Sequence, residues 1–260
     1  MMHIDTIKLF YPPLLRNNAL LNKHILKEYI QLMILDYLST TAYIRKIAFI
    51  GGTSIRLIKG IDRFSEDLDF DCKALSQDDF TNMTNDVLQF LRNNGLRAEA
   101  KEHFNPKLKA FRRNIHFPQL LFELGMSGHH DERFLIKIES QDQLVDYKPE
   151  LVNIKGCGFY FPMPVPSDAV LCAMKVSAML DRQKGRDFYD AMFLLPQCLP
   201  DFTFLKEKTG VANLNELKQK AAIIFKSIDL QHKMKDFEHL LFNKSNGAKI
   251  LHAPAFFIDL

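Results

Sequence analysis

From Asn22 to about Leu38 the apolar residues return at helical spacing, which predicts a helix packed early in the chain. Lys46 to Ile50 is an apolar run of strand length, halted by Gly51-Gly52. Thr53 to Lys59 carries Ile55 and Ile58 on one side, the pattern of a short half-buried helix. Leu68 to Cys72 alternates apolar with acidic residues, as a strand with one wet face does. Ser76-Gln77-Asp78-Asp79 has the acids of a helix start, and the amphipathic run behind it reaches Leu91 before Asn93-Asn94-Gly95 ends it. Strand-like stretches follow at Leu96 to Phe104, Phe111 to Glu123, Phe134 to Glu139 and Leu151 to Phe161. Pro162, Pro164 and Pro166 predict a stiff extended connector, and the domain boundary is placed there. Beyond it Ser167 caps a predicted helix to about Asp181, and Asp187 opens another that stops before Pro196. Leu214 to Ile228 and Lys233 to Phe242 are helical by periodicity. The chain therefore reads as α+β: residues 1–161 form a mixed sheet flanked by helices, and residues 162–260 form a helical domain.

Composition narrows the class without naming a function. At 260 residues, with 47% apolar and 25% charged residues, the chain has the make-up of a globular protein with a large core. Apolar stretches are broken by charge well before the roughly 20 residues a membrane span needs, and the start does not read as a secretory signal. Cys72, Cys157, Cys172 and Cys198 are scattered, so neither a zinc knuckle nor a disulfide framework is expected, and a cytoplasmic location fits. The net charge of +3 is too small to argue for nucleic-acid binding. Lys101, Lys107, Lys109, Arg112 and Arg113 do form a basic stretch with Phe104 and Phe111 inside it. Such a stretch suits phosphates and stacked bases, or equally a solvated sheet edge. His129-His130 lies in a turn-rich segment and receives no role.

The chemistry concentrates in Ile47–Ser54 and Arg63–Phe70. On one strand Asp67, Asp69 and Asp71 project to the same side, with Leu68 and Phe70 to the other. Carboxylates that close repel unless a cation neutralises them, and oxygen-only donors of this kind suit Mg²⁺ bound together with phosphates. Gly51 and Gly52 allow a ligand to approach the backbone, whose N–H groups, with the Thr53 and Ser54 hydroxyls, would face phosphate oxygens. Arg56 and Arg63 add charge nearby, although Arg63 is as well placed to pair with Glu66 or Asp67. Lys137 and Glu139 share one face of a further strand, either as a site or as a cross-strand ion pair. Asp71 is expected to face solvent.

A glycine turn opening a helix, then Asp-x-Asp on the next strand, resembles the nucleotidyltransferase fold of the DNA polymerase beta-like enzymes. More closely, "IGGTSIRL" and "DRFSEDLDF", with "KGRDFYD" far downstream, resemble the AbiEii/AbiGii toxin family of bacterial nucleotidyltransferases, to which the MenT toxins are related. The resemblance spans roughly residues 45 to 195. It implies a magnesium-dependent enzyme, with two ions, that moves NMP from an NTP to an RNA acceptor, a tRNA 3′ end. A separately encoded antitoxin, often a winged-helix protein, is the implied partner. By resemblance Asp67 and Asp69 are metal ligands, and Glu139 is a third ligand or the general base. Lys175 contacts triphosphate, and Ser65 matches a position beside the acids. Asp187 belongs to the site, orienting Lys175 or Arg186, or else only caps its helix. Phe188 and Tyr189 stack on a base or lie in the core.

Two other functions fit the same residues. One keeps the fold and changes the acceptor to a small molecule or a protein hydroxyl. The other is a silent module that binds nucleotide without turnover, against which the intact acids and glycine turn argue.

Overall fold

In the computed structural model, which describes residues 3–101 and 110–260, the chain divides into two compact units. The first comprises residues 1–60, 64–144 and 150–165; the second comprises 61–63, 145–149 and 166–260. The second unit thus includes two short segments that the sequence reading left in the first.

The first unit is built on a sheet whose described strands are β1 (Ile47–Ile50), β2 (Asp67–Cys72), β3 (Glu99–Lys101), β4 (Phe111–His116) and β5 (Leu135–Gln141). Their order is β1-β2-β5-β4-β3, with β2 and β5 parallel and every other pair antiparallel. Alternation gives the sheet two faces. Phe49, Leu68, Phe70, Ile115, Ile136 and Ile138 are buried on one, where the helix Gln77–Asn93 packs behind β4. The opposite face presents Asp67 and Asp69 of β2, Lys137 and Glu139 of β5, and Arg112, Asn114 and His116 of β4.

The helix Asn22–Ser39 matches the sequence reading, but it is buried nearly all round. Three of its buried residues are polar, and each has a task. Lys27 Nζ lies 3.3 Å from Glu66, Glu28 receives Arg56, and Gln31 Nε2 donates to the Ser65 carbonyl at 3.3 Å. This helix therefore clamps the segment that leads into β2.

The proline-rich stretch differs from expectation. It is not a connector but a strand, β7 (Phe159–Val165), paired antiparallel with β6 (Glu150–Gly156). Phe161, Met163 and Val165 are buried on one side of it. Pro162 and Pro164 are two residues apart, so both missing N–H groups fall on the same side of the strand, which a two-stranded ribbon tolerates at its open edge. Cys157 (φ +49°) and Gly158 (φ +85°) make the two-residue turn between the strands. Phe111 to Glu123 is likewise not one strand: β4 ends at His116 and a short helix, Leu120–Glu123, follows. Lys107, Lys109 and Phe104 of the basic stretch lie outside the described residues.

The second unit holds the helices Asp168–Arg182, Gly185–Leu194, Phe202–Thr209, Leu214–Phe225, Leu230–Lys235 and Ala253–Asp259. Ser167 caps the first, its hydroxyl accepting from Val170 N at 3.5 Å. Gly185 has no room for a side chain: an added Cβ would lie 2.8 Å from Phe237. No described helix is long and apolar enough to cross a membrane.

The helix Gln77–Asn93 opens with a reciprocal capping box, Ser76 Oγ accepting from Asp79 N at 3.0 Å and Asp79 Oδ2 from Ser76 N at 3.1 Å. Ser76→Ala is expected to lower stability by about 1 kcal/mol, read by urea unfolding, with no change in nucleotide binding.

Candidate active site

The acid pair and the glycine turn meet. Ile50 pairs with Asp69 across the sheet, and Gly51 follows with φ +82°, a left-handed conformation that L side chains disfavour. A Cβ added at Gly51 would collide with the Asp69 carboxylate and lie 2.8 Å from its Cβ. Only glycine admits the backbone this close to the acid. The chain then turns helically through Gly51–Ser54 and continues as a π-helical turn, Ile55–Lys59, which Gly60 (φ +73°) ends. Such turns recur at functional sites.

Several expected substrate contacts are structural instead. Thr53 and Ser54 are buried; the Thr53 hydroxyl donates to the Asp67 carbonyl at 2.5 Å, so it holds the turn to β2. This leaves the backbone of Gly51 and Gly52 as the candidate phosphate cradle. Arg56 forms two bonds to the buried Glu28, at 2.8 and 3.2 Å, and the Tyr11 hydroxyl donates to the same carboxylate at 3.0 Å. Ser65 is buried under the long helix. Asp71 does not face solvent: it is 2% exposed and accepts from Gln143 N at 2.9 Å, closing the loop after β5.

Beside Asp69, in register on β5, stands Glu139. Arg112 reaches one of its oxygens at 2.6 Å and Lys137 the other at 2.8 Å, while Lys137 Nζ also lies 2.9 Å from Asp67. Burial acts to raise the Glu139 pKa, but the hydrogen bonds from Arg112 and Lys137 outweigh it and hold the carboxyl below its ordinary range. Burial likewise acts to lower the Lys137 pKa, and its bonds to Glu139 and Asp67 outweigh that and raise it. Glu139 is thus the anion of a cross-strand ion pair, and a carboxylate kept this acidic is a weak general base. Among the described residues no group of three or more His, Cys, Asp or Glu is arranged to hold a metal. Asp67 and Asp69 alone suit magnesium, which proteins commonly bind through one or two carboxylates completed by substrate phosphates. Lys137, poised between Asp67 and Glu139, marks where this face needs positive charge.

The second unit has a charged cluster of its own. Asp190 is fully buried and accepts two bonds from Arg63, at 2.7 and 2.6 Å, with Lys175 Nζ at 3.0 Å. Burial acts to raise its pKa, yet Arg63 and Lys175 together lower it to about 2. Arg63 is thus held by Asp190, a carboxylate that the sequence reading did not pair with it. Asp187, also buried, accepts from Arg182 at 2.7 Å and from Lys184 N at 3.3 Å, which makes it a helix cap and not the orienter of Lys175 or Arg186. Arg186 is half-buried, with no hydrogen bond or ion pair among the described residues. Phe188 and Tyr189 are core residues, the Tyr189 hydroxyl donating to Asp62 at 2.6 Å.

Residues 34–238 match the model of the nucleotidyl transferase AbiEii toxin family of type IV toxin–antitoxin systems. The chain belongs to this family. AbiEii proteins are nucleotidyltransferase toxins, and this chain shares the fold of MenT4, a nucleotidyltransferase toxin from Mycobacterium tuberculosis H37Rv. The two have 17% identity and a TM-score of 0.63, over 100% of this chain and 91% of that one. JHP933 from Helicobacter pylori aligns at 20% identity and a TM-score of 0.53, over 90% of each chain. No curated protein matches.

Two residues of this AbiEii chain escaped the sequence reading. Asp190, the last letter of "KGRDFYD", lies one helical turn after Asp187 and was open to the same scrutiny. Arg112 was visible only as part of a basic stretch; the register of β4 against β5 gives it a partner.

Asp190→Asn leaves two buried cations uncompensated and is expected to cost roughly 3–5 kcal/mol in urea unfolding. Because the folded-state pKa is depressed, the Asp190 contribution is present above about pH 4 and fades as pH falls toward about 2. The variant's stability should lose that acid dependence. Gly51→Ala should cost about 1–2 kcal/mol and displace Asp69, lowering nucleotidyl transfer far more than the stability loss explains.

Proposed function

We propose that this toxin moves a nucleoside monophosphate from an NTP to an RNA hydroxyl, with a tRNA 3′ end as the acceptor and magnesium held by Asp67 and Asp69. What supports the reading is the contact of one strand-borne carboxylate with a glycine turn while a second stands two residues away on the same face. Magnesium, when bound, supplies positive charge to the phosphate oxygens at the reacting centre. The backbone N–H groups of Gly51 and Gly52 hold the distal phosphates. Lys137 and Arg112, fixed by Glu139, offset the charge of the acids on the face where negative charge develops in transfer. Glu139 serves by positioning these two cations. Lys175 is proposed on family resemblance as the triphosphate lysine; within its own unit it is held by Asp190. Arg186 is proposed on the same ground as a substrate contact. The partner is an antitoxin, of winged-helix type, and the setting is the cytoplasm, where tRNA is found.

Incubation with each labelled NTP, magnesium and total tRNA should put label into RNA, and EDTA should stop it. Asp67→Asn and Asp69→Asn should each reduce transfer by about 10³-fold, as loss of several kcal/mol of charge stabilisation implies, with unfolding curves close to wild type. Failure to label RNA with any NTP, while nucleotide still binds, would overturn the RNA acceptor. Mass spectrometry of small-molecule or protein products would then find the true one.

A further inference from the structure

The acid-bearing face of the sheet does not stop at Glu139. Register carries it outward: Asp67 stands opposite Lys137 and Lys137 opposite Asn114, while one step along the strands Leu135 stands opposite His116 and His116 opposite Glu99. Paired positions share a face, so Asn114, His116 and Glu99 continue the surface that Asp67 begins. Adjacent strands are about 4.8 Å apart, which puts β4 about 10 Å from β2. At that end lies a cavity of about 510 Å³ lined by Glu99, Asn114, His116, Gln119, Asp131 and Arg133, among others.

Its position relative to the acids gives it a meaning. The glycine turn approaches Asp69 from the β1 side, and the cavity lies on the other side, over β4 and β3. Phosphoryl displacement places the entering and leaving oxygens in line on opposite sides of the phosphorus. If the triphosphate tail sits at the glycine turn, the attacking hydroxyl enters from the β5–β4 side. The cavity is where the nucleoside bearing that hydroxyl would lie. Its lining suits a base better than a phosphate. Carboxylates at Glu99 and Asp131 accept hydrogen bonds from exocyclic amines, an Asn or Gln amide pairs with base edges, and Phe117 and Phe134 contribute apolar wall. Arg133 is exposed and has no ion pair or hydrogen bond among the described residues.

Resting on the transfer reaction proposed above, we infer that this cavity binds the 3′-terminal nucleoside of a single-stranded RNA acceptor, through base-edge contacts from Asn114, His116 and Arg133. The cavity therefore selects the acceptor and leaves the NTP to the glycine turn.

The test separates binding from transfer. Asp69→Asn protein is titrated by fluorescence anisotropy against a labelled single-stranded RNA ending in CCA, and NTP affinity is measured by calorimetry. Adding His116→Ala or Arg133→Ala should each weaken RNA binding by about tenfold, the scale of one lost base-edge contact, and leave NTP affinity unchanged. Arg133 is exposed, so its substitution does not threaten the fold. Unchanged RNA affinity in both variants, no RNA binding at all, or an equal loss of NTP affinity would overturn the inference. Wild-type protein that binds this RNA through the cavity yet transfers nothing to RNA would overturn the RNA-transfer reading and leave the cavity assignment standing.

Discussion

Negative charge governs the acid-bearing face of the first unit's sheet. Asp67, Asp69 and Glu139 are placed on one face by one strand and its parallel neighbour, and like charges on a shared face repel. Lys137 and Arg112 resolve the conflict by occupying both Glu139 oxygens and one of Asp67. The arrangement keeps Glu139 charged without any ligand and holds Lys137 and Arg112 in place. It also explains why β4 must pair with β5 in the register observed: a shift of one residue would turn Arg112 to the apolar side.

Buried polar residues elsewhere serve the same end. Lys27, Glu28 and Gln31 would be anomalous inside a helix that only packs, yet each holds a point on the path from the glycine turn to β2. Arg56 and Arg63, which the sequence offers to phosphate, are held by carboxylates at Glu28 and Asp190. Buried ion pairs add little net stability over apolar packing, but losing one partner is costly. They therefore fix geometry more than they strengthen the fold.

Local chemistry was legible in the sequence wherever periodicity and punctuation agree. The helix Asn22–Ser39, the Ser76 cap, β1 with its glycine stop and β2 with its alternate acids follow from patterns a few residues long. Pro162 and Pro164 misled because proline marks a connector in most contexts, whereas the open edge of a ribbon accepts it at alternate positions. What no local pattern encodes is partnership. That Arg63 seeks Asp190, that Glu139 belongs to Arg112, and that Asp71 closes the loop after β5 are facts of long-range register. Motif reading placed Asp187 in the site on a family signature, with a helix cap as the alternative that its place at a helix start suggests, and it could not show which carboxylate the lysine faces.

The parallel pairing of β2 with β5 bears on how the enzyme comes to be. Asp71 and Gln143, whose bond closes that pairing, are 72 residues apart, and contacts of such span form late because the loop between them must first be ordered. A nascent chain can pair β1 with β2 soon after both emerge, yet its acids lack Lys137 and Glu139 until β5 has been made. The acid-bearing face is therefore completed only when β5 docks beside β2 and brings Lys137 and Glu139 into register with Asp67 and Asp69.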